Sequence, residues 1–139
     1  MGTRLFTAVV VGAAAVLAGC STPAPALGST TATVTIDGAD TGGAHPVRCH
    51  QSGWAWYIET PQQQNGFTAV LSTGGGVTAK AVEFRDFGGF TGSFWADNLG
   101  EAEVTGRGGA YTITGTADGT FTDKPGDSVT AEFRIEAHC

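Results

Sequence analysis

The chain ends in the segment 129-VTAEFRIEAHC-139, whose side chains alternate in polarity at every step. Its odd-numbered residues are apolar or cysteine, and its even-numbered residues are threonine, glutamate, arginine and histidine. This period of two is typical of a β-strand with one buried face and one solvated face. Cys139 falls on the apolar face, so its sulfur is predicted to point into the protein.

Shorter alternating segments occur through the rest of the chain, at 33–36, 67–71 and 111–115. Dipeptides and tripeptides rich in glycine separate them and predict tight turns: Asp37-Gly38, Gly74-Gly75-Gly76, Gly88-Gly89, Gly108-Gly109, Asp118-Gly119 and Pro125-Gly126. No segment has a convincing helical period. We therefore expect an all-β fold, a single small antiparallel β-sandwich or partly open barrel of about seven to nine strands.

The N-terminus predicts export and lipidation. A basic start that includes Arg4 precedes an apolar run from Leu5 to Leu17, and 17-LAGC-20 follows. A helix of this length is too short to cross a hydrocarbon core of about 30 Å, yet it suits a signal peptide. The interpretation is a lipoprotein signal peptide at 1–19, with Cys20 lipidated as the first mature residue.

Residues 20–33 predict a tether between the lipid and the folded domain. Apart from one leucine, the stretch after Cys20 contains only serine, threonine, proline, alanine and glycine, and Pro23 and Pro25 disfavour helix. The β-domain is then predicted to span residues 34–139. The localisation that follows is the cell membrane, on its extracytoplasmic face and lipid-anchored.

The charge of the chain excludes some partners. Seven basic residues stand against thirteen acidic ones, for a net charge of -6. Binding to nucleic acid depends on cations that meet phosphates, so no nucleic-acid partner is expected. The same deficit of cations disfavours electrostatic attachment to anionic lipid. The predicted membrane link is therefore the acyl anchor.

The ordered segments resemble a known family. They are 35-TIDG-38, 47-VRC-49, 67-FTAVLS-72, 111-YTITGTA-117 and 133-FRIEAHC-139, behind the lipidation signal. Together they resemble the mycobacterial 19-kDa lipoprotein antigen family, the LpqH-like lipoproteins. The resemblance implies a cell-envelope lipoprotein antigen that host innate receptors recognise through its acylated cysteine. It also implies adhesin-like roles for some members and no enzyme activity.

Three cysteines in an exported protein leave one unpaired. If lipid takes Cys20, then Cys49 and Cys139 remain, and an oxidising exterior permits a disulfide between them. The alternatives are two free thiols or a metal site, although no close ligand pair such as CxxC is present.

A further hypothesis concerns two histidines. If Cys49 and Cys139 lie directly opposite each other on neighbouring antiparallel strands, then His50 lies opposite His138 on the outer face. Two imidazoles so placed could hold Zn²⁺, Ni²⁺ or Cu²⁺ weakly. This speculative site fails if the disulfide instead bridges two sheets. Apart from it, no metal and no cofactor are expected.

Two aromatic segments are candidates for ligand binding. In a strand, Trp54 and Trp56 would share one face, while Tyr57 would lie on the other. Phe90 and Phe94 would likewise share a face, with Trp95 opposite. One set is expected to fill the core, and the other could form a shelf for a sugar or lipid chain.

No catalytic set is identifiable, so the protein is not expected to be an enzyme. Asp97, Glu101 and Glu103 could form a carboxylate pair, but a solvated turn and strand face explains them as well. The expected function is a non-catalytic, monomeric surface antigen with a host-interaction or adhesin-type role. The alternative is a lipid- or glycan-binding envelope lipoprotein that uses an aromatic groove.

Overall fold

A computed structural model of the protein describes residues 30–139, which form ten antiparallel β-strands. Residues 1–29, with the predicted signal peptide, Cys20 and most of the tether, lie outside the described residues. The strands are β1 Thr31–Ile36, β2 Ala39–Pro46, β3 Arg48–Ser52, β4 Ala55–Glu59, β5 Gly66–Ser72, β6 Thr78–Phe87, β7 Phe90–Trp95, β8 Glu101–Arg107, β9 Ala110–Phe121 and β10 Lys124–His138.

The strands form one sheet in the order β2-β1-β10-β9-β7-β6-β5-β4-β3. β8 pairs with the first half of β9, while β7 pairs with its second half. The sheet curls into a nearly closed barrel, so the predicted all-β class is confirmed. Within residues 30–139 no helix is long and apolar enough to span a membrane.

The predicted alternation of the last strand is confirmed for residues 131–137, but Cys139 follows the end of β10 and is exposed, contrary to its predicted inward position. Ala131, Phe133, Ile135 and Ala137 are buried, whereas the residues between them are exposed or half-buried. Inward residues of the other strands meet them in one hydrophobic core, and the β5 residues Phe67, Ala69 and Leu71 are fully buried.

Phenylalanines are the largest side chains of the core. Phe84 packs at 5.5 Å from Phe133 and 5.9 Å from Phe90, measured between ring centroids, and both contacts are edge-to-face. Phe90 fits because residue 92 is glycine: a Cβ there would lie 2.4 Å from the Phe90 ring. The core is therefore closely packed. On β7, residue 92 has no side chain because the Phe90 ring occupies that space.

Four details of the sequence prediction are wrong. β1 begins at Thr31, so residues 31–33 belong to the sheet and not to the tether. Asp118-Gly119 lies inside β9, where Gly119 pairs with both Val129 and Gly92. Pro125-Gly126 lies in an irregular part of β10, where the register with β9 shifts, and the turn itself is at 122–123. The ten strands also exceed the predicted seven to nine.

Candidate functional site

The disulfide joins two distant parts of the sheet. Cys49 of β3 and Cys139, directly after β10, are bonded with their Cα atoms 5.9 Å apart and a sequence separation of 90 residues. β3 is at the edge of the sheet and β10 is in its interior, so these strands are not hydrogen-bonded neighbours. The disulfide therefore links the edge strand β3 covalently to the end of β10, across the gap where the barrel does not close. The backbone N–H of Cys139 also donates to Gly109 O at 2.6 Å.

The cross-strand histidine pair that the metal hypothesis requires is absent from the described sheet. His50 lies opposite Tyr57, and His138 lies opposite Thr31 on one side and Ala110 on the other. The premise fails because Cys49 and Cys139 are not on adjacent strands. Among residues 30–139 no group of three or more His, Cys, Asp or Glu side chains could hold a metal ion.

The predicted ligand-binding aromatics are divided between three environments. Trp54 lies in the turn between β3 and β4 with 73% of its surface exposed, so the prediction that it shares a strand face with Trp56 is wrong. Trp56 packs against the core and contacts Tyr111 edge-on at 6.4 Å between centroids. Its Nε1 is buried without a hydrogen-bond partner. Tyr57 and Trp95 point outward, as their inward neighbours Ile58 and Phe94 require.

Tyr57 and Trp95 lie on the same cross-strand row. Following the pairing from β3 to β7, each residue is directly opposite the next, and all belong to the outer face of the sheet. We call these five residues the outer row: His50, Tyr57, Val70, Ala81 and Trp95. The rings of His50 and Tyr57 stack in parallel, with centroids 4.8 Å apart and planes at 4°. Trp95, at the other end, is 64% exposed.

A polar row runs beside the outer row, two residues along each strand. It consists of Arg48, Glu59, Thr68, Glu83 and Ser93, again in direct opposition. Arg48 pairs with Glu59 at 3.2 Å. Arg85 pairs with Glu83 at 3.6 Å and donates to Thr68 Oγ1 at 3.1 Å. The charges beside the outer row thus neutralise one another.

The predicted acidic group is part of a solvated surface. Asp97 is an exposed turn residue with φ of 65°, and Glu101 and Glu103 are exposed on β8.

Two other carboxylates have pKa values below the ordinary range. The pKa of Asp40 is lowered because the backbone N–H groups of Gly43 and Gly42 donate to it. A hydrogen bond from Arg134 lowers the pKa of Glu136. In both cases the hydrogen bonds stabilise the charged carboxylate and thereby lower its pKa.

Five depressions of about 380 to 530 Å³ on the described surface are all open to solvent. None of the five is lined by Trp54, Trp56, Tyr57 or Trp95. The outer row is therefore a shallow shelf and not the wall of one of these depressions.

Sequence reasoning selected Tyr57 and Trp95 but missed the residues between them. Val70 and Ala81 are ordinary small apolar residues, and nothing in their own segments distinguishes them. Their role depends on register across three strand pairs, which a single segment does not encode.

A sequence model of one family covers most of the chain. The family described as the Mycobacterium 19 kDa lipoprotein antigen matches residues 25–139. A family of lipoproteins implies anchoring to a membrane through lipid. The match begins after Cys20, so the lipidation site itself lies outside it.

Individual relatives come from the same genus. A protein of Mycobacterium avium subsp. hominissuis described as a lipoprotein is 39% identical over 138 residues, with 99% of this chain and 94% of the relative covered. A Mycobacterium tuberculosis protein described as lipoprotein LppE is 34% identical, over 78% of this chain and 77% of the relative. Lipoprotein LpqH of the same species is 33% identical, over 76% and 67% respectively.

Proposed function

Because the chain belongs to the Mycobacterium 19 kDa lipoprotein antigen family, we propose that it is a surface lipoprotein antigen on the extracytoplasmic face of the cell membrane. Cys20 carries the lipid, and residues 21–30 connect it to the β-domain. The domain is a non-catalytic display module. Host receptors meet the acylated terminus, and the sheet surface supplies adhesin-type contacts.

The observation that carries this proposal is the Cys49–Cys139 disulfide across a filled core. Disulfides form and persist in oxidising compartments outside the cytoplasm, which supports the extracytoplasmic location. In the chain-entropy account, closing a loop of this length stabilises the fold by about 4 to 5 kcal/mol. A domain that is closely packed and covalently closed is suited to display at a cell surface.

The absence of enzyme activity is part of the proposal. Catalytic groups characteristically combine a cleft with a strongly shifted pKa. Here the two carboxylates with lowered pKa values, Asp40 and Glu136, lie on open surface and bond to backbone amides or to Arg134. Ordinary hydrogen bonding of surface carboxylates explains both.

We also propose that the domain is monomeric. Edge strands invite pairing with a second chain unless the edge is irregular or charged. β2 has a register shift opposite β1 and ends at Pro46, which cannot donate a hydrogen bond. On the opposite edge, β3 begins with Arg48. Both edges are thus poor templates for an additional strand.

Membrane fractionation of the native host tests the anchor. Cys20→Ala should release the protein from the membrane fraction, whereas Ser21→Ala should leave it bound. Retention of the Cys20→Ala protein would contradict the anchor assignment.

Surface labelling tests the location. Lys80 and Lys124 are exposed in the β-domain. A membrane-impermeant amine reagent applied to intact cells should therefore modify both, while a cytoplasmic control protein stays unmodified. Labelling only after lysis would place the domain elsewhere.

The outer row favours one second function, the binding of an envelope glycan. Lipid transport in the interior is disfavoured, because the core is filled by Phe67, Phe84 and Phe90. The exposed ring of Trp95 and the half-buried ring of Tyr57 instead offer apolar area on the outside.

A further inference from the structure

We propose that the outer row binds a segment of neutral polysaccharide that lies across strands β3 to β7. This inference rests on the second function above and specifies its site and its ligand class. The lipid-anchored display role does not depend on it.

The shape of the outer row fits an extended chain with apolar faces. Five strands at a spacing of about 4.8 Å place His50 and Trp95 about 19 Å apart along the curved sheet. The stacked rings of His50 and Tyr57 form a platform at one end, and the Trp95 indole forms another. Val70 and Ala81 are short, so the floor between the platforms stays low. A sugar ring presents C–H groups on its faces, and these groups pack on aromatic rings.

Hydrogen-bonding groups flank the outer row on both sides, where the hydroxyls of a saccharide would lie. Thr68 and Ser93 belong to the polar row described above. On the opposite side, Ser72 and Thr78 face each other across β5 and β6. The apolar stripe with polar margins therefore matches the amphipathic cross-section of a saccharide chain.

The charges on this face indicate that the ligand is neutral. Arg48 and Arg85 are paired with Glu59 and Glu83, so the polar row presents neither a surplus cation nor a surplus anion. An anionic lipid headgroup or an acidic polysaccharide would have to break these pairs.

One other cation lies near the outer row. Lys80 neighbours Ala81 and lines a depression together with the two carboxylates Asp97 and Glu101, so this part of the surface has no surplus of positive charge.

The position of the tether restricts the ligand to the envelope. Thr31, at the start of β1, lies opposite His138, and Cys139 is bonded to Cys49, the neighbour of His50. The chain therefore leaves the domain beside the His50 end of the outer row. Ten residues separate Cys20 from Thr30, which at ~3.3 Å each limits the domain to within about 33 Å of the anchor. A polymer of the cell envelope lies within that distance.

Calorimetric titration of the full-length lipoprotein in detergent tests the proposal. The probes are neutral linear hexasaccharides of glucose, mannose and galactose, and a hexasaccharide of galacturonic acid serves as the anionic probe. At least one neutral probe should bind, and it should shift the tryptophan emission. The anionic probe should bind more weakly than the neutral one.

Two tryptophans provide a matched pair of variants. Trp95 and Trp54 are both strongly exposed, but only Trp95 belongs to the outer row. Trp95→Ala should weaken saccharide binding by about tenfold or more, as expected for an aromatic anchor. Trp54→Ala should leave the affinity within a factor of about two, because residues outside the contact contribute little. Ala81→Glu, which keeps every ring and blocks the floor, should also abolish binding.

Several results would overturn the inference. They are no heat with any neutral probe, equal losses for Trp95→Ala and Trp54→Ala, or tighter binding of the anionic probe. Membrane retention through Cys20 would be unaffected by any of them, so failure of the site and failure of the display role are distinguishable.

Discussion

The inward and outward sides of strands β3 to β7 both contain aromatic residues and use them differently. Inside, Phe84, Phe90 and Phe94 are buried against one another and against β10. Outside, Tyr57 and Trp95 remain in contact with solvent. Because successive residues of a strand face opposite ways, Phe94 stabilises the core while Trp95, its neighbour, adds little. The number of aromatic residues alone does not reveal a binding surface. The face of the strand on which each ring lies does reveal it.

The largest expected effect is loss of the disulfide, compared with a substitution at His50, the neighbour of Cys49. In Cys49→Ala/Cys139→Ala the free energy of unfolding should fall by about 4 to 5 kcal/mol, because the unfolded chain regains the entropy of an open loop. Denaturant unfolding followed by tryptophan emission measures the loss. His50→Ala should change it by less than about 0.5 kcal/mol. Equal effects of the two changes would contradict the stabilising role of the disulfide.

The next effect concerns the inward phenylalanines. Phe84 is 1% exposed and touches rings on β7 and β10. Phe84→Ala should cost about 3 to 5 kcal/mol, the sum of lost burial and an unfilled cavity. Phe84→Leu should cost clearly less, because it fills part of the space. Thermal unfolding of the two variants measures the difference, and identical melting temperatures would argue against a tightly packed site.

These two sides also show how much the sequence could predict. The period of two in residues 129–139 lies within one segment, so the last strand and its buried face were readable directly. The inward position of Phe90 and Phe94 and the outward position of Trp95 followed from the same rule. The position of Trp54 did not follow from this rule, because Gly53 and Trp54 form a turn that interrupts the alternation of a strand.

Features that depend on pairing between segments could not be predicted. The opposition of His50 and His138 required β3 and β10 to be neighbours, and five strands stand between them in the sheet order. The outer row likewise exists only through four successive strand registers. Glycine-rich strands specify such registers weakly in their own sequence. The lipidation of Cys20 stays a prediction from the sequence.

A smaller effect is expected on the outward side. Trp95→Ala should change the free energy of unfolding by less than about 0.5 kcal/mol, since the ring is mostly solvated. Phe94→Ala, one residue away, should cost about 3 kcal/mol or more. Parallel urea titrations of both variants give the contrast directly. A large loss for Trp95→Ala would mean that the ring serves folding, and it would weaken the case for a binding role.

The smallest effect is local and depends on pH, and it involves the outward carboxylate of Asp40. This carboxylate accepts hydrogen bonds from the N–H groups of Gly42 at 2.6 Å and Gly43 at 2.7 Å, which lower its pKa from the ordinary aspartate value of 3.8. Because the pKa is lower in the folded state, the stabilisation is complete above pH 3.8 and is lost as the pH falls through the lowered value. NMR titration should therefore show the two glycine amides shifting below pH 3.8, and Asp40→Ala should remove the shift.

Asp40→Asn, which keeps an acceptor oxygen without a charge, should preserve the turn but not the pH dependence. A midpoint above 3.8 would mean that the carboxylate is not held by these amides. The inward core should stay folded throughout this local change, since Asp40 is an exposed residue of the edge strand β2 and contributes to none of the buried contacts.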